Sequence, residues 1–344
     1  MGLGFFLATV ALAVGLPLSG WLIDRFGGRW PAAGGAVMLS LGFVALGTVV
    51  QDVTGFVLVM MAAGFLAACS APVAYTRAVS TGFVHARGLA LGLTQLGIGL
   101  SAMLVPPLLA GIIQTSGWQR GYLVLAGLAL LGVVPALTLP RATRATTSGA
   151  SGAGAILRSP TYVLLLAAFG LMALSFAGLL THFVPMLSEA GMSLTAAARI
   201  AGLIGASVIV SRIVVGWLAD RFDATRIAAA SCVVCAMGCL LLAYGGAGSA
   251  WIGAIALGTA MGAEADLIGF LTARYFPLQD YGRLYAVQYG SFMLMAGLSP
   301  LWIGMLADGA GGYAVPLIVT AAGLIGAAGL FLRLPPARPT CDPA

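Results

Sequence analysis

Two copies of one short polar sequence constrain the fold of this chain more than any other feature. The first copy is GWLIDRFGGR, residues 20–29, and the second is GWLADRFDATR, residues 216–226. Each copy ends a long apolar run with a Gly, an Asp and an Arg, and the next apolar run begins after a further Arg. The two Asp residues are 196 positions apart, and the segments that begin at Gln95 and Gln288 recur at an offset of 193. The pattern predicts a duplicated multi-helix unit whose helices are joined by tight polar turns.

The composition indicates that these helices lie in a membrane. Hydrophobic residues make up 60% of the chain and charged residues only 8%, and the mean hydropathy is +1.05. Most apolar runs exceed the roughly 18 residues that a membrane-spanning helix needs. The net charge of +6 comes from Arg in short connections, which favours an orienting role in a membrane over binding of nucleic acid. Five Cys in so long a chain do not indicate a disulfide framework.

The apolar runs predict eleven transmembrane helices in an all-α fold. They occupy approximately residues 1–22, 31–50, 55–76, 87–113, 120–139, 161–188, 196–219, 226–246, 249–273, 283–307 and 313–333. A polar stretch rich in Gly, Ser and Thr separates five of these helices from the other six. The predicted domains are therefore an N-terminal helical half at 1–139, a cytoplasmic central linker at 140–160, a C-terminal helical half at 161–333 and a cytoplasmic tail at 334–344.

The position of the first polar turn predicts that one helix is missing. One apolar run precedes the first copy, whereas two precede its twin in the second half. The repeat therefore predicts a twelve-helix plan without its first helix, and we expect either a truncated gene product or a mis-annotated start. Most Arg residues fall on the side of the membrane that holds both turns. The positive-inside rule places the turns, the linker and the C-terminus in the cytoplasm, and predicts a multi-pass protein of the cytoplasmic membrane.

The repeated turn, the two helical halves and the polar central loop resemble the major facilitator superfamily over essentially the whole chain. The segment from His85 to Gly92 resembles the junction of the fourth and fifth helices in the monocarboxylate and oxalate/formate transporter branch. The segments 262–267 and 273–276 are similar to the tenth helix of that branch. The resemblance implies a two-repeat helical bundle that carries a small molecule across the membrane by alternating access.

Three ionisable residues lie at a similar depth inside predicted helices, namely Arg212, Glu264 and Asp266. A charge at such depth costs at least about 2.5–3.5 kcal/mol unless it is paired or hydrated, so these residues are candidates for substrate binding. The guanidinium fork of Arg212 suits a substrate carboxylate, and the branch has an Arg at the matching place in its eighth helix. The alternative is a structural ion pair of Arg212 with Glu264 or Asp266. Val208 stands where the branch usually has an acid, one turn earlier.

The two acids are two residues apart, about 200° around a helix, so they do not both face one cavity wall. Glu264 is deeper, and we expect it to be the proton carrier and the counter-charge of Arg212; the alternative is a packing pair. His182, in the outer part of helix 161–188, is a candidate proton relay. Its alternative role is a hydrogen bond to a neighbouring helix.

The gating candidates lie at the predicted cytoplasmic ends of helices, and they are Asp24, Arg25, Arg29, Arg77, Asp220 and Arg221. A carboxylate such as that of Asp24 could accept hydrogen bonds from the N-terminus of a facing helix, or pair with Arg77, in one state and release them in another. The alternative is that these residues determine topology alone.

The predicted function is secondary active transport of a small organic anion, a monocarboxylate, by proton symport or anion exchange. A transporter or efflux protein for a neutral solute or drug is the alternative. A receptor or membrane-embedded enzyme is disfavoured, because the chain has no phosphate loop, metal-ligand set or nucleophile–base pair. Cys232, Cys235 and Cys239 lack accompanying ligands and are interpreted as packing residues. We predict a monomer in the lipid bilayer with no cofactor, no metal and no nucleic-acid partner; protons are a candidate co-substrate.

Overall fold

The computed structural model describes residues 2–83, 86–140 and 153–335. Residue His85, most of the predicted linker and most of the predicted tail lie outside these ranges, so the predicted domain division stays a prediction. Within the described ranges the chain forms α-helices and three short 3-10 helices, with no strand. The α-helices are α1 Gly2–Phe26, α2 Arg29–Thr48, α3 Val53–Ala67, α4 Val73–Gly82, α5 Arg87–Ser116, α6 Trp118–Leu131, α7 Val133–Thr138, α8 Ala153–Leu157, α9 Pro160–Phe176, α10 Leu179–Glu189, α11 Leu194–Ala219, α12 Ala224–Gly245, α13 Ala250–Tyr275, α14 Tyr281–Ala310 and α15 Ala314–Leu332.

The helices form membrane-length segments. Nine segments of the described residues are long and apolar enough to cross a membrane, and one of them, Ala224–Tyr275, contains both α12 and α13. Helix α5 has 30 residues and is not among the nine. Counting α12 and α13 separately gives ten, and α5 is a further helix of 30 residues in the described part of the chain. The prediction of an all-α membrane protein is confirmed.

Polar side chains mark the beginning of several helices. In each case a side-chain oxygen accepts a hydrogen bond from a backbone N–H that the first turn leaves unpaired. These caps are Asp52 to Gly55 N at 3.1 Å, Ser159 to Tyr162 N at 3.3 Å, Ser193 to Ala196 N at 3.3 Å and Asp223 to Thr225 N at 3.0 Å. Each cap satisfies one backbone donor where an apolar helix starts.

The chain divides into two compact units. The first comprises Met1–Gly82, Leu100–Ile156 and Phe276–Leu294; the second comprises Phe83–Gly99, Leu157–Tyr275 and Met295–Ala344. In the first unit, α1 and α2 pack against α3, and α2 also packs against α6. In the second, α13 packs against α11 and α12, and α15 packs against α9 and α12. The first half of α5 thus belongs to the second unit, and the first half of α14 to the first.

Candidate functional site

The close approach of α11 and α13 positions two of the predicted site residues. A Cβ atom on Gly262 would lie 2.7 Å from the carbonyl oxygen of Val208, so only a glycine allows the two backbones to come this close. Residues four apart lie on the same face of a helix. Arg212 follows Val208 by one turn and Asp266 follows Gly262 by one turn, so the contact brings their side chains together.

Arg212 and Asp266 form a buried ion pair within the second unit. Arg212 Nη1 lies 3.0 Å from Asp266 Oδ1, and the two side chains are only 5% and 3% exposed. Among the described residues, Arg212 Nε is enclosed and has no hydrogen-bond partner. Since a guanidinium has five N–H donors, the ion pair leaves hydrogen-bonding capacity unused on Arg212.

Arg212 forms its direct ion pair with Asp266, and the expected role of Glu264 as counter-charge and proton carrier stays a prediction. The Glu264 Oε2 atom is enclosed and has no hydrogen-bond partner in the described part of the chain. The physical reason for the pairing with Asp266 is the rotation of about 200° between Glu264 and Asp266 on α13. Because Gly262 contacts α11, Asp266, one turn after Gly262, faces Arg212. Glu264, two positions after Gly262, does not face it.

Helix α5 adds a third polar group that the sequence analysis did not assign to the site. A Cβ atom on Gly92 would clash with the carbonyl oxygen of Arg212 and lie 3.5 Å from Asp266 Oδ2. Gln95, three residues further along α5, is 3% exposed. Its side chain makes a hydrogen-bonding contact with the Asp266 carboxylate. The only sequence signal was an amide in an apolar helix, one turn after a glycine.

His182 on α10 is hydrogen-bonded at both ring nitrogens. Nε2 lies 3.1 Å from the carbonyl oxygen of Pro300 and Nδ1 lies 3.0 Å from the hydroxyl of Tyr313. Since a carbonyl oxygen only accepts, Nε2 donates to it, and Nδ1 of a neutral imidazole accepts from the hydroxyl. Burial and the carboxylates of Glu189 and Asp308 raise the pKa of Tyr313 above its usual value, so the hydroxyl keeps the proton that it donates. This geometry matches the alternative role of His182, and the relay role stays a prediction.

Asp24 lies at the centre of a hydrogen-bond cluster in the first unit. Its carboxylate accepts from Gly282 N at 2.9 Å and Arg283 N at 2.7 Å, and Arg77 Nη1 lies 3.0 Å from Oδ1. Arg77 also donates to the carbonyl oxygen of Ile23. Both kinds of partner expected for Asp24 are therefore present, and its gating role stays a prediction.

The other gating candidates lie at helix ends. In the second unit Asp220 accepts from Gly88 N at 2.7 Å and from Leu89 N at 3.0 Å. The three Arg residues lie over aromatic rings, with Cζ-to-centroid distances of 5.2 Å for Arg25 over Trp21, 5.6 Å for Arg29 over Trp30 and 3.9 Å for Arg221 over Trp217. These positions anchor the cations beside amphipathic rings.

The buried cysteines do not have the composition of a metal site. Cys232, Cys235 and Cys239 are buried on α12. No group of three or more His, Cys, Asp or Glu that could hold a metal ion occurs in the described ranges. We assign no cofactor or metal to these residues.

Comparison with known sequences identifies transporters as relatives. A family model described as the Major Facilitator Superfamily matches residues 1–265. Human monocarboxylate transporter 11 is 30% identical, and the alignment covers 98% of this chain and 76% of the relative. Bovine monocarboxylate transporter 13 is 25% identical over 96% of this chain and 79% of its own length. The oxalate:formate antiporter of Oxalobacter formigenes is 27% identical over 51% of this chain and 43% of its own.

Solved structures with the same fold are proton-coupled sugar transporters. The fucose:proton symporter of E. coli superposes with a TM-score of 0.76, covering 97% of each chain at 14% sequence identity. A proton:xylose symporter superposes with a TM-score of 0.77 over 97% of this chain and 86% of its own, also at 14% identity. At this identity the likeness supports the fold and carries no information on substrate.

Proposed function

Because the chain belongs to the Major Facilitator Superfamily, we propose that it is a secondary active transporter of a small organic anion of the monocarboxylate class. The observation that carries this proposal is the buried Arg212 guanidinium, which has one contact to Asp266 and an unpaired Nε. Relatives named as monocarboxylate transporters and an oxalate:formate antiporter support the same substrate class. The proposed activity is transport rather than catalysis.

Arg212 is the proposed receptor of the substrate carboxylate. Its fork can donate two parallel hydrogen bonds to a carboxylate, which are among the strong charge-assisted kind. The site has a low dielectric because both side chains are enclosed, so a carboxylate that replaces water there gains a strong interaction. Since Arg212 is only 5% exposed, substrate reaches it only after the surrounding helices move, as alternating access requires.

Asp266 is the proposed proton carrier, in place of Glu264. The pair with Arg212 is neutral overall, so an arriving carboxylate adds one negative charge to a buried site. Transfer of a proton from solvent to Asp266 would restore neutrality and free the guanidinium for the substrate. Release of the anion and of the proton on the other side returns the ion pair. Asp266 on α13 would thereby provide the titratable carboxylate that α11 lacks, since Val208 stands at the position of the usual acid.

The membrane location, the gating residues and the oligomeric state are also proposals. The Arg distribution supports the cytoplasmic membrane with the C-terminus inside. Asp24 and Asp220 are proposed to act as gates, since each holds the first turn of another helix. We propose a monomer, with protons and the lipid bilayer as the other partners.

The test is uptake into proteoliposomes that contain the purified chain. Labelled lactate, pyruvate, formate and oxalate would be offered with and without a pH gradient. We expect saturable uptake of at least one monocarboxylate, a loss of affinity of at least about tenfold in Arg212→Lys, which keeps the charge but loses the fork, and no saturable uptake in Arg212→Ala. Arg199→Ala, which removes an exposed Arg from the same helix α11, is the matched control. Undiminished monocarboxylate binding in Arg212→Ala would refute the anion proposal and favour a neutral solute.

A second pair of variants tests the proton carrier. Asp266→Asn is expected to retain anion exchange and to lose the acceleration by a pH gradient, because the amide cannot take up the proton. Glu264→Gln is expected to keep that acceleration. If Glu264→Gln loses the acceleration by a pH gradient and Asp266→Asn keeps it, Glu264 is the proton carrier.

A further inference from the structure

We propose that a groove between α11 and α12 holds an acyl chain of an anionic phospholipid, and that Arg221 and Arg226 bind the phosphate of its headgroup. The groove has a volume of about 490 Å³ and lies wholly within the second unit. Both helices belong to segments that are long and apolar enough to cross a membrane, so lipid is the solvent of their exposed surface. The inference does not depend on which solute the protein transports.

The groove exists because α13 packs closely against both helices. A Cβ atom on Gly258 of α13 would lie 2.5 Å from the carbonyl oxygen of Ile204 on α11, and one on Gly238 of α12 would clash with Ala256 of α13. Helices α11 and α12 meet each other in few places, and α13 lies at the floor of the gap between them. The groove is therefore a consequence of helix packing.

The wall of the groove suits a hydrocarbon chain. Aliphatic side chains dominate its lining, and several of them are exposed, including Val210, Val214 and Val234. Three hydroxyl groups also line it, and each donates to a backbone carbonyl oxygen, so they need no polar ligand. These hydrogen bonds are Ser211 to Thr259 O, Ser231 to Ile227 O and Thr259 to Ile255 O, each at 2.8 Å. An acyl chain in the groove would supply the dispersion contacts that its wall otherwise lacks.

The groove is long enough for a whole acyl chain. It runs along α11 from Leu203 to Leu218, a distance of about 22 Å at 1.5 Å per residue. One leaflet of the hydrocarbon core is about 15 Å thick. A chain that lies in the groove therefore reaches the membrane surface at the turn between α11 and α12, where its headgroup would be.

Two Arg residues lie at that end of the groove. Arg221 follows Leu218 by three residues, and its backbone N–H donates to the carbonyl oxygen of Leu218 at 3.0 Å, so the helical turn continues. Arg226 comes one turn before Ala230, which lines the groove on α12. The Arg226 side chain is 81% exposed, and its Nε lies 3.9 Å from Asp223 Oδ2, beyond hydrogen-bonding distance. Guanidinium groups bind phosphate through pairs of charge-assisted hydrogen bonds, so this end suits a phosphate.

The carboxylates beside these cations are already bound within the protein. Asp220 accepts from two backbone N–H groups of α5, and Asp223 accepts from the backbone N–H and the hydroxyl of Thr225. A headgroup with an ammonium would have to compete with these donors, and the two guanidinium groups would repel it. The geometry therefore favours an anionic lipid such as phosphatidylglycerol over a zwitterionic lipid.

The experiment is native mass spectrometry of the purified full chain, titrated with phosphatidylglycerol or with phosphatidylcholine that has the same acyl chains. We expect one phosphatidylglycerol to bind at least about fivefold more tightly than phosphatidylcholine. Arg221→Gln and Arg226→Gln should each weaken phosphatidylglycerol about fivefold, the effect of one Arg near a membrane surface, and change phosphatidylcholine by less than about twofold. Arg333→Gln is the matched control, because it removes an exposed Arg at the end of α15 in the same unit.

A second set of substitutions tests the groove itself. Val210→Trp fills the groove from a position on α11 that is 60% exposed, and it should weaken both lipids at least about tenfold. Met237→Trp is the control, because Met237 is 58% exposed on α12 and does not line the groove. Val214→Trp fills the groove one turn away and decides the matter if Val210→Trp does not fold.

Three outcomes would overturn the inference. Equal affinity for the two lipids would show that the Arg pair does not recognise the headgroup. Displacement of phosphatidylglycerol by an equal concentration of glycerol phosphate, which has no acyl chain, would show an anion site that does not need the groove. A dimer that dissociates in Val210→Trp would show that a second copy of the chain covers the groove. Loss of phosphatidylglycerol in the Arg and groove variants, with both controls unchanged, supports it.

Discussion

Each unit contains a contact in which a glycine and an Asp of one helix meet the first turn of another helix. The two contacts differ in the position of the nearby Arg. In the first unit, Gly20 of α1 meets Gly282 of α14 at van der Waals contact, where a Cβ atom on Gly20 would clash with the backbone. Asp24, one turn after Gly20, accepts hydrogen bonds from the backbone N–H groups of Gly282 and Arg283. The carboxylate thus satisfies donors that the first turn of α14 leaves unpaired.

The contact in the second unit repeats this arrangement residue by residue. Gly216 of α11 meets Gly88 of α5, and a Cβ atom on Gly216 would lie 2.6 Å from the carbonyl oxygen of Gly88. Asp220, one turn after Gly216, accepts from the backbone N–H groups of Gly88 and Leu89. Gly88 is the second residue of α5, as Gly282 is the second residue of α14.

The cations distinguish the two contacts. In the first unit Arg77 pairs with Asp24 at the helix end, whereas no ion pair to Asp220 occurs in the described part of the second unit. One turn before the contact glycine the first unit has Leu16, fully buried, and the second has Arg212. The scaffold therefore needs the glycine and the Asp but not a charge inside the membrane. Arg212 is an addition to that scaffold, which favours a functional role for it.

The largest expected effect comes from breaking the charge pair of the second unit. Asp266→Leu leaves the Arg212 guanidinium buried without a counter-charge, and should lower the free energy of unfolding by about 3–5 kcal/mol. The double variant Arg212→Met/Asp266→Leu makes the site as apolar as the surroundings of Leu16, so most of the stability should return while monocarboxylate binding stays lost. Denaturation in mixed micelles measures the free energy of unfolding of both variants. Equal losses in the single and double variants would show that the pair stabilises the fold and is part of the scaffold.

The next effect distinguishes the two helix-end carboxylates. The Asp24 carboxylate binds both Arg77 and two backbone N–H groups, and Asp24→Asn removes its charge. The variant should therefore slow transport by at least about tenfold and change substrate affinity by less than about threefold. Asp220→Asn loses only the charge-assisted bonds to α5, so its turnover should fall less. Paired measurements of affinity and turnover decide the question. A collapse of affinity in Asp24→Asn, with unchanged turnover per bound substrate, would contradict the gating role.

The features that could be predicted from the sequence are those in which a polar residue stands out against an apolar background. Asp24 and Arg77 were expected to meet because each lies at the end of an apolar run, on the same side of the membrane. The membrane-length helices and the repeat followed from the same contrast. The length of an apolar run and the polar residues at its ends are local properties, and they can be read from one sequence without knowledge of packing.

The choice between Glu264 and Asp266 could not be made from the sequence. Helical geometry places the two acids on opposite faces, but the face that meets Arg212 depends on the contact of Gly262 with Val208, which is a tertiary property. Gln95 was missed for a related reason. An uncharged amide gives little signal in the sequence, and only its burial beside Asp266 identifies it as part of the site.

A smaller effect tests whether the two glycine contacts are equivalent. Gly20→Ala and Gly216→Ala each place a Cβ atom against a backbone oxygen of the facing helix, and each should lower the free energy of unfolding by about 1–3 kcal/mol. Gly97→Ala is the control within α5, where nothing lies within 4 Å of the added atom, and it should stabilise the helix by up to about 1 kcal/mol. Thermal unfolding in detergent measures all three variants. A loss in one unit only would show that the shared contact is not equally important in both.

The smallest expected effect concerns the Arg that follows the Asp in each turn. Arg221 Cζ lies 3.9 Å from the ring centroid of Trp217, whereas Arg25 Cζ lies 5.2 Å from that of Trp21. A cation over an aromatic face contributes about 0.5–1 kcal/mol at exposed sites and weakens with distance. A double-mutant cycle with Arg221→Gln and Trp217→Leu should therefore give a coupling in this range, and the cycle at Arg25 and Trp21 a smaller one. Arg25 has a second ring within reach, since its Cζ is 5.5 Å from the centroid of Phe26, so Trp21→Leu removes only part of its aromatic contact. If the two couplings prove equal, the difference in ring distance has no energetic consequence, and the contrast between the units is confined to Arg77 and Arg212.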